Sequence, residues 1–332
     1  VRHGRFLGLR EDKAAGEVTE EKPEEVEKMT GEKIQPAEGS VAGVRLTHPE
    51  KVLFPEQGIT KGDLAAYLDA AAGRMLPHCA ERLISLVRCP QGRSRKCFFQ
   101  RHGGAGLPAQ LRTLDIPSKD GSTETYLYLT GASGLVAAAQ MGVLELHIWG
   151  SRIDDVERPD RIVFDLDPDP SVGFAAVKAA ATGMRDALDA LGLQSFPLLT
   201  GGKGIHVVAP ILRRHEWPAV KGFAKALAER FAKNEPGRYI ATMSKAKRKG
   251  RIFIDYLRND RSATAIAPYS PRARQGAPVA WPVSWKQLES AAAANEVAIG
   301  DARKRLGDPD PWKGYGDVRQ GLNAAALRAL GV

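Results

Sequence analysis

Two aspartates separated by one residue close an apolar run, Arg161-Ile162-Val163-Phe164-Asp165-Leu166-Asp167-Pro168. The Val, Ile and Phe content predicts a buried strand. On a strand, residues i and i+2 face the same way, so Asp165 and Asp167 stand about 6–7 Å apart on one face. Leu166 points the other way, into the core. Pro168 cannot donate to a ladder and ends the strand. Two carboxylates this close repel, and a carboxylate pair with open positions suits Mg2+ or Mn2+. A third acid follows in Ile252-Phe253-Ile254-Asp255-Tyr256-Leu257, where a carboxylate among apolar neighbours is costly unless a cation meets it. Asp255 is therefore read as a third metal ligand. The competing reading of Asp165 and Asp167 is turn chemistry, since Asp-Pro-Asp-Pro is good turn material.

A second cluster is Thr200-Gly201-Gly202-Lys203-Gly204-Ile205-His206. Three glycines in four residues let backbone N–H groups approach phosphate oxygens, with Lys203 adding charge and Thr200 a hydroxyl. His206 begins a strand that aims it back toward the loop. The spacing is not that of a Walker loop, and a plain glycine hairpin is the bland alternative. Arg272 and Arg274, in an extended loop over 267–274, suit a triphosphate. His147 lies on an alternating segment, Leu144-Glu145-Leu146-His147-Ile148-Trp149, just before the aspartate strand. Lys51 and Lys61 flank a helix start, a ready anion site, although two solvated lysines are commoner. Phe98 and Phe99 follow a basic loop with Arg93, Arg95 and Lys96. On a strand they face opposite ways, so one is expected in the core with the other exposed to stack on a base, the competing reading being core packing for both.

These residues need a scaffold of alternating strands and helices. Thr60 reads as the N-cap of a helix through about Pro77, with Leu64, Tyr67, Leu68 and Ala71 at helical spacing. Strands are predicted at 83–90, 97–102, 124–129 and 144–149, with an apolar helix over 130–141 between the last two. After the aspartates come a helix over 173–191, strands on either side of the glycine hairpin, and a helix over 215–234. The run Lys245-Ala246-Lys247-Arg248-Lys249-Gly250-Arg251 holds five cations in seven residues and leads into the Asp255 strand. Helices near 284–295 and 320–330 close the domain.

Composition sets the outer bounds. The chain has 332 residues and a net charge of +9. Residues 11–38 hold ten acidic and four basic side chains, so the body beyond them is more basic than the whole. That favours a polyanionic partner. Residues 11–43 read as an acidic, flexible linker, with the folded unit over 44–332. No run of about 18 apolar residues exists, so no membrane span is expected. Cys79, Cys89 and Cys97 form no full disulfide set and point to a reducing compartment. Cys89 and Cys97 with His78 and His102 match no zinc spacing.

In their order, Asp165-Leu166-Asp167, the Thr200–His206 element and Ile254-Asp255 resemble the three-part pattern of archaeo-eukaryotic primases. The polymerase domain of bacterial ATP-dependent DNA ligase D, an end-joining polymerase, is the most similar family. His48-Pro49-Glu50-Lys51-Val52-Leu53-Phe54-Pro55, Thr60-Lys61, the 144–149 segment and Tyr269-Ser270-Pro271-Arg272 carry the likeness further, over about 44–325. Thr200 stands where the family often has Ser, with the hydroxyl kept. Residues 1–10 resemble the end of an upstream ligase domain.

The resemblance implies an α/β primase-like fold: mixed sheets, an RRM-like catalytic subdomain packed on a second α/β module. It implies template-dependent, and weakly non-templated, nucleotidyl transfer to DNA 3′ ends in bacterial non-homologous end joining, with ribonucleotides preferred over deoxyribonucleotides. Two Mn2+ or Mg2+ ions would sit on Asp165, Asp167 and Asp255. Thr200, Gly202, Lys203, His206, Arg272 and His147 would hold the NTP or dNTP. Lys51 and Lys61 would take a 5′-phosphate at a gap or broken end, and Phe98 or Phe99 would stack on template. Ku and a covalently linked ligase domain are the implied partners, in a bacterial cytoplasm at the nucleoid. The alternatives are a non-catalytic DNA-end binding module that recruits ligase and Ku, and a metal-dependent phosphohydrolase.

Overall fold

A computed structural model describes residues 39–118 and 121–331. The expected ligase end at 1–10 and most of the acidic linker lie outside the described residues. Two hairpins come first: β1 Ser40–Val41 with β2 Val44–Arg45, then β3 Val52–Phe54 with β4 Ile59–Thr60. β1 thus lies inside the stretch read as linker. Helix α1, Lys61–Cys79, starts at Thr60 through a capping box: Asp63 N–H donates to Thr60 Oγ1 at 3.1 Å and Thr60 N–H to Asp63 Oδ2 at 2.9 Å.

The first large sheet contains β5 Ile84–Arg88, β6 Phe98–Gln100, β7 Arg112–Pro117, β8 Thr123–Tyr128 and, after helix α2 Ala132–Gln140, β9 Val143–Ile148. The second is built from β10 Arg161–Pro168, helix α3 Phe174–Asp189, β11 Phe196–Leu199, β12 Ile205–Pro210, helix α4 Trp217–Asn234, β13 Tyr239–Ile240 and β14 Ile252–Asp255. β15 Ala265–Ile266 returns to the first sheet beside β9, and β16 Trp281–Pro282 adds to the edge of the second.

Within the second sheet the spatial order β14-β10-β12-β11 is antiparallel throughout, with one helix after the first strand and one after the third. This βαββαβ pattern is the RRM-like arrangement expected from the resemblance. Alternation on β10 explains its two faces. Ile162, Phe164 and Leu166 join Val177, Ala181 and Met184 of α3 and Phe223 of α4 in the main core. Val163 packs on the opposite face with Phe196, Leu198 and Val208, against Ile266 and Trp312. Asp165 and Asp167 share that second face, which looks toward the first sheet.

Three short-range expectations change. The Asp255 strand ends at Asp255, because its Oδ1 accepts from the Leu257 amide at 2.9 Å and turns the chain into a 3-10 turn at Leu257–Asn259. The helix expected over 284–295 shrinks to α5, Trp285–Ser290, and α6, Ile299–Arg305, appears beyond it; the last helix is α7, Ala324–Leu330. Cys89 and Cys97, read as free thiols, are joined by a disulfide across the loop between β5 and β6, so neither is available to zinc. Register explains why: β6 runs back antiparallel to β5, with Arg88 opposite Phe98, which sets the flanking cysteines side by side. Cys79 remains a buried free thiol. No described helix is long and apolar enough to cross a membrane.

One buried ion cluster ties the segment between α1 and β5 to the start of β10. Arg82, 1% exposed, grips Asp160 with both terminal nitrogens, at 2.7 and 2.5 Å, and Arg161 and Arg152 lie at 3.4 Å. Burial alone would raise the Asp160 carboxyl, but the charges of Arg82 and Arg161 outweigh it and hold the pKa well below the usual range. Its folded pKa is depressed, so the stabilisation is present above the unfolded value of about 4 and is lost as the pH falls toward the folded one. Asp160→Asn is expected to destabilise the protein by roughly 3–5 kcal/mol at neutral pH, because it strands a buried guanidinium. Urea unfolding should show that deficit shrinking in acid; a deficit independent of pH would refute the assignment.

Candidate active site

The pairing of β10 between β12 and β14 builds the site. Asp165 is directly opposite His206 on one side and Asp255 on the other. Side chains directly opposite across a ladder share a face and lie about 4.5–5.5 Å apart at Cβ. Asp255, Asp165 and His206 therefore form a row across the sheet, with Asp167 two residues along β10 on the same face. His206 Nε2 lies 3.4 Å from Asp165 Oδ1.

Two arginines hold the carboxylates. Arg258, carried back over the sheet by the turn after Asp255, places Nε 3.1 Å and Nη2 3.0 Å from Asp165 Oδ2 and Nε 3.2 Å from Asp255 Oδ2. Arg248 donates from Nη1 to Asp167 Oδ2 at 3.2 Å and stacks over Phe253, which is opposite Asp167 in register. Burial would raise Asp165, but His206 and Arg258 hold it well below the ordinary carboxylate range. Asp255 goes the other way: burial raises it, and Asp165 adds to the rise against the pull of Arg258. The pair is a single system with the negative charge favoured on Asp165.

The donor set fits a hard divalent cation: carboxylate oxygens on one face, with no thiolate among them. Among the described residues, though, no three His, Cys, Asp or Glu side chains converge on a common point. The three aspartates come to one face, where the Arg248 and Arg258 guanidinium groups pair with them. Neither Arg248 nor Arg258 is singled out by the sequence. The usable signal for Arg258 is its position three residues after an acid at a strand end. For Arg248 it is the basic run placed immediately before an apolar strand.

The glycine hairpin lies against β10. A Cβ on Gly204 would sit 2.4 Å from the Leu166 carbonyl oxygen, and Gly201 adopts φ +67 with Arg272 and Val279 pressed against it. Only glycine allows these approaches. The Thr200 hydroxyl donates to the Gly204 carbonyl at 2.8 Å and accepts from the Gly202 amide at 3.3 Å, so it braces the turn. Lys203 is exposed at the tip. Arg272 is buried and donates to the Thr200 carbonyl. His147 is 7% exposed on β9 and faces Glu145 at 2.8 Å. Phe99 packs edge-on against the His147 ring at 5.8 Å. The expectation of one core and one exposed phenylalanine is not met: Phe98 and Phe99 are both half-buried, with Arg88 over the first ring and Arg101 over the second.

Lys51 and Lys61 come together at the start of α1. Lys61 is 7% exposed and donates from Nζ to the Thr47 carbonyl at 2.7 Å; Lys51 reaches Gln91 at 2.9 Å. Burial first, and then the Lys51 charge, lower the Lys61 pKa. Two ammonium groups close enough to repel are a ready anion site.

Removing Arg258 should expose the repulsion it masks. Arg258→Ala is expected to lose about 2 kcal/mol in the presence of a chelator, a figure discounted for the partial exposure of the arginine. Mn2+ should restore more stability to the variant than to the parent in thermal unfolding. An unchanged midpoint in chelator would contradict the assigned pairing.

A family model described as "LigD, primase-polymerase domain" matches residues 60–312. The chain is 40% identical over 337 residues to the multifunctional non-homologous end joining protein LigD of Pseudomonas aeruginosa, covering 100% of this chain and 40% of that protein. The bifunctional LigD of Bacillus subtilis is 27% identical over 248 residues, 74% of this chain and 40% of that protein. The chain thus spans well under half the length of these relatives. The solved polymerase domain of Mycobacterium tuberculosis ligase D, in complex with DNA, superposes with a TM-score of 0.77 at 31% identity, covering 82% of this chain and 98% of that one. The chain belongs to the LigD primase-polymerase domain family.

Proposed function

We propose that this chain adds nucleotides to DNA 3′ ends at gaps and breaks during bacterial end joining, as the polymerase portion of a longer protein that also carries a ligase domain. The observation that carries the reading is the row Asp255–Asp165–His206, with Asp167 beside it, facing the glycine hairpin. A DNA-end binding module that only recruits ligase and Ku would need the basic surface but gives no reason to oppose two buried carboxylates. A solved relative complexed with DNA supports a nucleic-acid substrate.

In this reading Asp165, Asp167 and Asp255 hold two Mn2+ or Mg2+ ions. Bound there, divalent ions lower the pKa of a primer 3′-hydroxyl and neutralise the triphosphate and leaving pyrophosphate. The residues of the chain bind and orient. Arg272 and Lys203 supply charge to the triphosphate, while Thr200 and Gly202 set the hairpin backbone close to it. His206 stands opposite Asp165, and His147 meets Glu145 from β9. Arg248 and Arg258 now pair with these carboxylates and would have to give them up to bound cations. Lys51 and Lys61 take the 5′-phosphate of the downstream strand, Phe98 and Phe99 support the template, and ribonucleotides are the preferred substrates. Ku recruitment and action at the nucleoid follow from the same role.

Asp167→Ala and Asp255→Ala are each expected to reduce primer extension on gapped, 5′-phosphorylated DNA by at least a thousandfold. Extension at parental rates by either variant would remove the metal assignment, and release of mononucleotides without pyrophosphate would select a phosphohydrolase instead. Joint replacement of Lys51 and Lys61 by Ala should abolish the preference for a 5′-phosphate and flatten the log–log salt dependence of DNA binding by about one to two. An unaltered preference would return both lysines to ordinary surface charge.

A further inference from the structure

Glu145 lies on β9 two residues before His147 and is 1% exposed. A carboxylate so buried is maintained only by cationic or hydrogen-bonding partners. Its Oε1 accepts from the Ala273 amide at 2.9 Å. Its Oε2 lies 2.8 Å from His147 Nε2 and 3.3 Å from Arg272 Nε. The arginine contact is an ion pair without the alignment of a hydrogen bond, so it restrains the guanidinium by charge. Arg272 in turn donates from Nη1 to the Thr200 carbonyl at the base of the glycine hairpin. One side chain from the first sheet thus touches two residues assigned to the nucleotide, His147 and Arg272, and reaches another, Thr200, through Arg272.

We infer that Glu145 is a positioning residue for the incoming nucleoside triphosphate: it aims His147 and Arg272, and through Arg272 it holds the glycine hairpin in place. An arginine carries much rotamer freedom, and a ligand that must freeze it binds more weakly; a buried carboxylate that orders it beforehand removes that cost. A carboxylate that also fixes the imidazole orientation acts as partners behind metal-binding histidines do. The inference rests on the proposed nucleotide roles of His147, Arg272 and Thr200.

The test uses the full chain, gapped DNA and a nucleoside triphosphate series. Glu145→Gln keeps the volume and an acceptor but loses the charge. It is expected to raise the KM for the nucleotide roughly ten- to a hundredfold, while DNA affinity by anisotropy stays within about twofold. In an Arg272→Ala background the same change should add less than about threefold, because the two act through one contact. A parental KM, or full multiplication of the two effects, would overturn the inference and leave Glu145 a structural tie between the sheets. If Glu145→Gln does not fold, Glu145→Asp carries the test: a raised KM at the parental melting temperature supports positioning, and an unchanged KM overturns it. If His147→Ala and Arg272→Ala themselves leave the nucleotide KM unchanged, the nucleotide reading fails. If they raise it and Glu145→Gln does not, only the positioning role fails.

Discussion

The opposition of Asp165 to Asp255 across one antiparallel ladder is the constraint from which the rest of the site follows. Two carboxylates about 5 Å apart repel by about 3 kcal/mol at the effective dielectric that best describes buried sites. The sheet register fixes that spacing, so neither side chain can move away. The repulsion raises the Asp255 carboxyl and is met by positive charge brought to the face. Arg258 brings it from the turn after β14 and Arg248 from the basic run before β14, while His206 faces Asp165 from β12. A fold optimised for stability alone would have placed apolar side chains there, as it does at Val163 two residues earlier on the same face.

The surrounding architecture concentrates this charge without dissolving the core. The face of β10 turned to α3 and α4 is wholly apolar, so the sheet is anchored from behind. The glycine hairpin is held against β10 by an approach that admits no side chain at Gly204. The first sheet contributes from across the cleft through β9, with β15 stitching the two sheets and Glu145 meeting Arg272 between them. The disulfide lies just past the end of β5, and the Lys51–Gln91 bond joins the lysine site to the loop the disulfide closes.

Much of this was legible in the chain. The period of two in the 161–168 segment placed both aspartates on one face and Leu166 behind them, and the helices at α1, α3 and α4 followed from capping and apolar stripes. The order of the Asp-Leu-Asp, glycine-rich and Ile-Asp elements gave the family. What stayed hidden depends on contacts distant in sequence. Arg258 meets Asp165 across 93 residues, and Glu145 meets Ala273 across 128. Glu145 carries no local mark that separates it from a solvated charge, and Arg258 has only its place three residues after an acid at a strand end. The Cys89–Cys97 pair was missed for a different reason. An odd cysteine count argued against disulfides, whereas the hairpin geometry of β5 and β6 decides the pairing locally. Likewise, the extra helix α6 has a short, weakly apolar sequence whose shape is set by packing on α1.

Anomalous diffraction from crystals soaked in Mn2+ and a nucleoside triphosphate tests the central claim most directly. The account predicts anomalous density in contact with carboxylate oxygens of Asp165, Asp167 and Asp255, with Arg258 displaced from the first and last of them. Arg258 still paired with both, and no anomalous density on that face of the sheet, would contradict it.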